Sequence, residues 1–171
     1  MAGTSPAMTI KRVISAGAFM EAKRDDKTFR YNVRTTWRSA RQGVLAAPAR
    51  PDIAVGSPRE WNGTGEQWAP EELLVGSVNS CIMLTFLTLA NARGVDLVGY
   101  DSDAEGTLEK VSGVFQITKI TVRPRIVVAS EAQRDAAHRA MGHVEAHCFM
   151  SQSVKAVITL IPEITVAASP R

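Results

Sequence analysis

The chain is short of several things, and each shortage excludes something. Its 171 residues include only two cysteines and three histidines. Two cysteines are too few for the disulfide framework of a small secreted scaffold. Neither HExxH nor CxxC occurs, so the common zinc patterns are missing. Aromatic residues make up 6% of the chain, and the formal net charge is only +3. The densest basic clusters, Lys23-Arg24 and Arg34 to Arg41, are broken by acidic, polar or apolar residues. A nucleic-acid surface wants a basic stripe with interleaved aromatics, so no nucleic-acid partner is expected. No run reaches the roughly 18 apolar residues of a membrane helix. The best one, Cys81 to Ala92, is interrupted by Thr85, Thr88 and Asn91. The first six residues, Met1 to Pro6, are small and polar, without the apolar centre of a signal peptide. No membrane association and a cytoplasmic location are the expectations. There is no internal repeat and no low-complexity segment.

What is present fits one globular domain. Hydrophobic residues make up 45% and charged residues 22%, enough apolar material for a real core. Residues 1–8 read as disordered and 9–171 as a single domain. Met8 to Ala22 is ambiguous between strand and short helix, and Lys23 to Lys27 reads as a turn. Thr28 to Trp37 alternates as a strand, with Phe29, Tyr31 and Val33 on one face. Gly43 to Leu45 and Ile53 to Val55 are short strand candidates, bounded by Pro48, Pro51 and Pro58.

The firmest element is a helix from Pro70 to Arg93. Pro70 suits its first position, Glu71 and Glu72 suit the positive end of its dipole, and Gly94 supplies its stop. It is apolar nearly all round, so a central buried place is expected. Gly76 and Ser80, four apart, form a flat strip that permits a close helix crossing. Val95 to Glu109 and Val114 to Val128 read as a hairpin. Ser130 caps a helix through His147, with Gln133 completing a capping box. Val154 to Ile161 reads as the last strand. Strands, helix, hairpin, helix and strand make an α+β layout.

The two cysteines close and open distinctive runs. Cys81 ends Pro70-Glu71-Glu72-Leu73-Leu74-Val75-Gly76-Ser77-Val78-Asn79-Ser80-Cys81, and Cys148 begins Cys148-Phe149-Met150-Ser151-Gln152-Ser153-Val154, 67 positions later. A lone cysteine on an apolar helix face is ordinarily a small core residue. Two of them, one with carboxylates upstream and one where a helix gives way to a strand, suggest a thiol pair that reacts.

Those two runs resemble the OsmC/Ohr family, the osmotically inducible and organic hydroperoxide resistance proteins, over about Trp61 to Pro162. The resemblance departs at Phe149, where many members have proline. It implies an OsmC-like α+β fold, with antiparallel sheets around a long central buried helix in an intertwined homodimer. It also implies thiol-dependent reduction of alkyl or fatty-acid hydroperoxides. Cys81 would attack the peroxide and Cys148 would resolve the sulfenic acid as a disulfide. No bound cofactor is implied, only an external dithiol reductant protein, of lipoyl type. The chemistry needs a reachable thiolate with its pKa lowered, and a second thiol that captures the sulfenic acid before over-oxidation. Their Cα atoms must come within about 7 Å.

The family uses a Glu and an Arg beside the first cysteine. The Glu carries over to Glu71. Ten residues along a straight helix separate it from Cys81 by roughly 15 Å. Either the helix bends near Gly76, or Glu71 serves the Cys81 of another subunit; the second reading is preferred. For the Arg, Arg41 is favoured over Arg50 and Arg59. Met83, Phe86, Trp61, Trp68 and Phe149 are candidates for an apolar substrate pocket.

Three other readings compete. His143, His147 and Cys148 could hold a metal with one further ligand. His147 could act as the base of a Cys–His hydrolase or acyl transferase, though adjacent helical residues point about 100° apart. A non-enzymatic OsmC-like protein binding a small apolar ligand is the alternative outside catalysis.

Overall fold

The computed structural model describes residues 27–168. A compact unit begins at Asn32. The disordered start expected over 1–8, the ambiguous segment 8–22 and most of the turn after it lie outside the described residues.

Three short strands form an antiparallel sheet: β1 (Arg34–Ser39), β2 (Gln42–Ala46) and β3 (Ile53–Gly56). The strand expected from Thr28 starts later, because Phe29 and Tyr31 are exposed and bury no alternating face. The β1–β2 turn passes through Ala40 at φ 42°. The indole Nε1 of Trp37 donates to the Ala40 carbonyl at 3.0 Å and holds this turn, which presents Arg41.

The loop after β3 returns along the sheet. Trp68 N–H donates to the Ala54 carbonyl, and Gly56 N–H donates to the Trp68 carbonyl. Gly63 is obligatory in this loop, since a Cβ there would lie 1.6 Å from the Ser57 carbonyl oxygen. These contacts set the start of the long helix beside β3.

Helix α1 (Pro70–Asn91) opens as expected, with proline first and Glu72 Oε2 accepting from the Ala69 N–H at 2.8 Å. It closes with a Schellman turn. Val95 N–H reaches the Ala90 carbonyl and Gly94 N–H the Asn91 carbonyl, with Gly94 at φ 65°.

One face of α1 carries Val78, Ile82, Phe86 and Ala90 into the core. The opposite face is uncovered in the single chain: Leu84 is 59% exposed, and nothing lies within 4 Å of a Cβ built on Gly76. By length and composition α1 could cross a membrane, a capacity that counting uninterrupted apolar runs denied to every segment. Here its buried face is domain core, and Asn79 is bonded to Ser102 across from it.

Strands β4 (Leu97–Val111) and β5 (Val114–Val128) form a long antiparallel hairpin. Its turn is the pair Ser112-Gly113, at φ 50° and 87°, the positive values that a tight two-residue hairpin requires. The hairpin approaches α1 closely at Gly106, where a Cβ would stand 2.5 Å from a Val75 methyl.

After β5 the single expected helix is three: α2 (Glu131–Met141), α3 (Val144–His147) and α4 (Phe149–Ser153). The first break falls at Gly142-His143. The second falls at Cys148, whose backbone is extended. The expected Ser130–Gln133 box does not form. Ser130 makes no side-chain cap, and Gln133 Oε1 is buried without a partner.

The strand expected over Val154 to Ile161 is β6 (Val157–Leu160), and a further strand, β7 (Glu163–Val166), follows Pro162; both run parallel to β5. The second sheet is therefore mixed rather than antiparallel, because the helical crossover returns the chain in the direction of β5. Pro124 sits inside β5, a place a ladder ordinarily forbids. It stands between the stretch paired with β6 and the stretch paired with β7, so its missing N–H breaks no pairing. Ile120, Val122, Ile126 and Val128 of β5 face α1, and Ala137, Ala140, Met141 and Val144 complete the core.

Candidate functional site

Cys81 sits mid-way along α1, half-buried. Cys148 is fully buried between α3 and α4. The break before α4 turns it inward and makes it the N-cap of that helix, its sulfur accepting from the Ser151 N–H at 3.5 Å. The fold packs the two thiols side by side.

Their surroundings set them apart. Burial raises the pKa of Cys81. It is outweighed by the Met150 N–H, the Cys148 thiol, the Thr85 hydroxyl and the Phe149 N–H, and the net position lies below that of an ordinary thiol. Cys148 moves the other way. Burial pushes it up, the Ser151 N–H opposes that, and the neighbouring Cys81 pushes it further up. Of the two, Cys81 is thus the one that loses its proton more readily and Cys148 the one that keeps it. A thiolate on the more accessible sulfur, with a protonated thiol behind it, is the arrangement that attack followed by resolution requires.

Arg41 and Glu71 meet elsewhere. Both line an open cleft of about 340 Å³, walled by Trp37, Trp61, Val55 and Pro58. Trp61 is held there edge-on against Phe115, with ring centres 5.2 Å apart. Glu71 Oε2 is buried with no partner. Arg41 and Glu71 are not ion-paired; the ion pairs among the described residues are Arg123–Glu105, Arg125–Asp101, Arg125–Asp103 and Arg134–Glu131. Arg59 is engaged by the Thr64 carbonyl and Arg50 by the Ala49 carbonyl, both local loop contacts. Of the three arginines considered, Arg41 alone lines the cleft with Glu71. Helix α1 runs unbroken through Gly76, so Glu71 stays roughly 15 Å along the axis from its own Cys81.

The apolar candidates scatter. Phe86 is core, stacked at a tilt on Tyr100. Trp68 borders a second cleft, of about 420 Å³, with Glu71, Val75 and Leu108. Neither cleft includes a cysteine. Met83 is half-buried, and Phe149 stands 78% exposed beside the thiols.

The histidine readings find no support in geometry. His147 is exposed, with Nδ1 at 2.9 Å from the His143 carbonyl. Among the described residues no three His, Cys, Asp or Glu side chains come together as metal ligands. Sequence reasoning missed Thr85 and Ser151. Their signals were the spacings, four after Cys81 on a helix and three after Cys148 at a helix start.

A helix carrying one cysteine, backed by a second, buried cysteine and packed on its core face against the mixed sheet, defines a two-thiol α+β protein. The chain belongs to the OsmC-like protein family, whose model matches residues 63–163. It is 28% identical over 116 residues to the uncharacterized protein YmaD of Bacillus subtilis, covering 66% of this chain and 77% of that one. An OsmC-like protein of unknown function from Vibrio cholerae superposes with a TM-score of 0.71 at 21% identity, covering 80% of this chain and 99% of that one. An organic hydroperoxide resistance protein from Elizabethkingia anophelis superposes with a TM-score of 0.64 at 13% identity, covering 85% of this chain and all of that one.

Proposed function

We propose that this protein reduces organic hydroperoxides with its two thiols. The Cys81 thiolate attacks one peroxide oxygen, the O–O bond breaks, and the alcohol leaves with a proton. Cys81 is then a sulfenic acid. Cys148 gives up its proton and attacks that sulfur, forming the disulfide and releasing water. A dithiol reductant, of lipoyl type, restores both thiols while it is itself oxidised to a disulfide. Such a cycle suits a compartment that keeps thiols reduced, such as the cytoplasm.

The carrying observation is that half-buried Cys81 packs beside fully buried Cys148, with the first thiol's pKa lowered by nearby donors and the second's raised by burial. The shared fold with an organic hydroperoxide resistance protein supports the substrate class.

The protein works as a homodimer in this reading. The uncovered face of α1, with Gly76 and Leu84, is the natural contact. Arg41 and Glu71 of one chain then stand at the Cys81 of the other. There the arginine would steady the thiolate and the leaving oxygen, and its ion pair would satisfy the orphaned Glu71 oxygen.

The test is a count of free thiols per chain before and after one equivalent of cumene hydroperoxide, in wild type and Cys81→Ser. Loss of both thiols in the wild type, an intramolecular disulfide by mass and an inert variant are expected. Thiols that survive excess peroxide would sink the proposal and favour an apolar-ligand-binding protein, whose site would be the cleft bordered by Trp68, Val75, Ala104 and Leu108.

A further inference from the structure

We propose that Ser151 is the positioning residue of the resolving thiol: its N–H fixes the Cys148 sulfur, and its spare hydroxyl turns onto that sulfur when Cys148 gives up its proton. The inference rests on the thiol-peroxidase reading above and adds a residue outside the Cys, Arg and Glu set.

Two observations carry it. The Ser151 N–H donates to the Cys148 sulfur at 3.5 Å, at the start of α4. The Ser151 Oγ is buried and has no hydrogen-bond partner. Buried hydroxyls are ordinarily paired, so an orphan beside a reacting sulfur asks for a reason.

Helix geometry puts that hydroxyl near the sulfur. Cys148 is the N-cap of α4 and Ser151 its third residue. In a capped first turn the side chain of the third residue leans back toward the capping residue. The usual target there, the N–H of the cap, is already committed to the Val144 carbonyl at 2.8 Å. The other serine of α4 beyond it behaves in the ordinary way for a helix: Ser153 is exposed and donates to the Phe149 carbonyl at 2.6 Å.

The resolving step supplies the need. Cys148 loses its proton, its sulfur attacks the Cys81 sulfur, the S–OH bond breaks, and the hydroxide leaves with a proton as water. The negative charge then passes through a fully buried sulfur. Burial disfavours that charge and already holds the thiol's pKa up. A neutral thiol sulfur is a weak acceptor, so the resting protein leaves the Ser151 hydroxyl unpaired. A thiolate is a strong one, and the hydroxyl needs only to rotate to become its second donor beside the N–H.

The experiment follows attack by Cys148 without peroxide. Dithiobis(nitrobenzoate) reacts first with the more accessible Cys81, releasing one thionitrobenzoate and leaving the other as a mixed disulfide. Cys148 then attacks the Cys81 sulfur, forming the protein disulfide and releasing the second thionitrobenzoate. Absorbance reads both releases across pH, and intact mass identifies the products, on wild type, Ser151→Ala and Ser151→Thr. Alanine keeps the N–H and removes only the hydroxyl. In Ser151→Ala the first release should keep its rate. The second should be about three- to tenfold slower near neutral pH, with its midpoint about one pH unit higher. Ser151→Thr should stay close to wild type. Ser151→Gly serves if the alanine variant does not fold. A folded variant lacking the hydroxyl whose second release keeps the wild-type rate and midpoint would overturn the inference. So would equal slowing of both releases, which marks a purely structural role. A protein that gives the expected result but leaves cumene hydroperoxide intact would defeat the peroxidase reading alone.

Discussion

Cys148 caps a five-residue helix with the same sulfur that touches Cys81, 67 residues earlier in the chain. One side chain therefore caps a helix and stands beside the other thiol. Forming a disulfide would pull that sulfur toward α1 and weaken its bond to the Ser151 N–H.

The two thiols should titrate apart. Cys81 lies below an ordinary thiol, so its reactivity should rise with pH through a midpoint lower than that of an ordinary thiol. Cys148 lies above, so it should stay protonated and unreactive until alkaline pH. Site-resolved alkylation rates across pH read both. Midpoints that coincide near 8.5, the ordinary value, would remove the asymmetry on which the mechanism depends.

The single-cysteine variants should fail differently. Cys81→Ser should leave peroxide untouched. Cys148→Ser should consume one equivalent, stop at the sulfenic acid and go on to the sulfinic acid with excess peroxide. Intact mass after peroxide addition separates these products.

Arg41→Ala or Glu71→Gln should each lower the rate of peroxide consumption by about 10²- to 10³-fold, the usual cost of losing one charge-stabilising group. Arg50→Ala should leave it unchanged. The mixed dimer of Cys81→Ser with Glu71→Gln is more telling. If the sites cross between chains, one of its two sites is fully wild type, and mixing two inactive proteins should recover activity. No recovery in a verified mixed dimer would place Glu71 and Cys81 at the same chain's site.

Leu84→Arg should shift the protein toward monomer, measured by sedimentation, because it puts a charge on the uncovered face of α1. An unchanged mass would mean that another surface holds the dimer.

Phe86→Ala should destabilise the fold by about 3–5 kcal/mol, the usual cost of emptying an aromatic core site. Phe86 is wholly buried between α1 and Tyr100. A shift in urea midpoint with unchanged Cys81 reactivity would confirm that it is core rather than pocket lining.

Much of the fold is legible in the chain because its signals are local. Proline before Glu71 and Glu72 starts α1, and Gly94 at positive φ ends it. The alternation of β5 brackets its full length, from Val114 to Val128. The breaks around α3 are less legible. Ala137, Ala140, Val144 and Cys148 keep a helical spacing on both sides of Gly142, and only packing decides that Val144 and Cys148 point inward on separate turns. The strand after Pro162, β7, is hidden for a similar reason, since Pro162 reads as an end and not as a joint.

The sequence by itself determined the α+β class, the helix that carries Cys81 and the identity of the two thiols, because period, caps and residue type act over a few positions. Tertiary structure alone decided that Cys148 turns inward beside Cys81, that Cys81 is the more acidic of the two thiols, and which arginine shares a cleft with Glu71. Those properties depend on burial and on donors from distant segments, and hydrogen bonds of about 3 Å between such groups exist only once the chain has closed on itself.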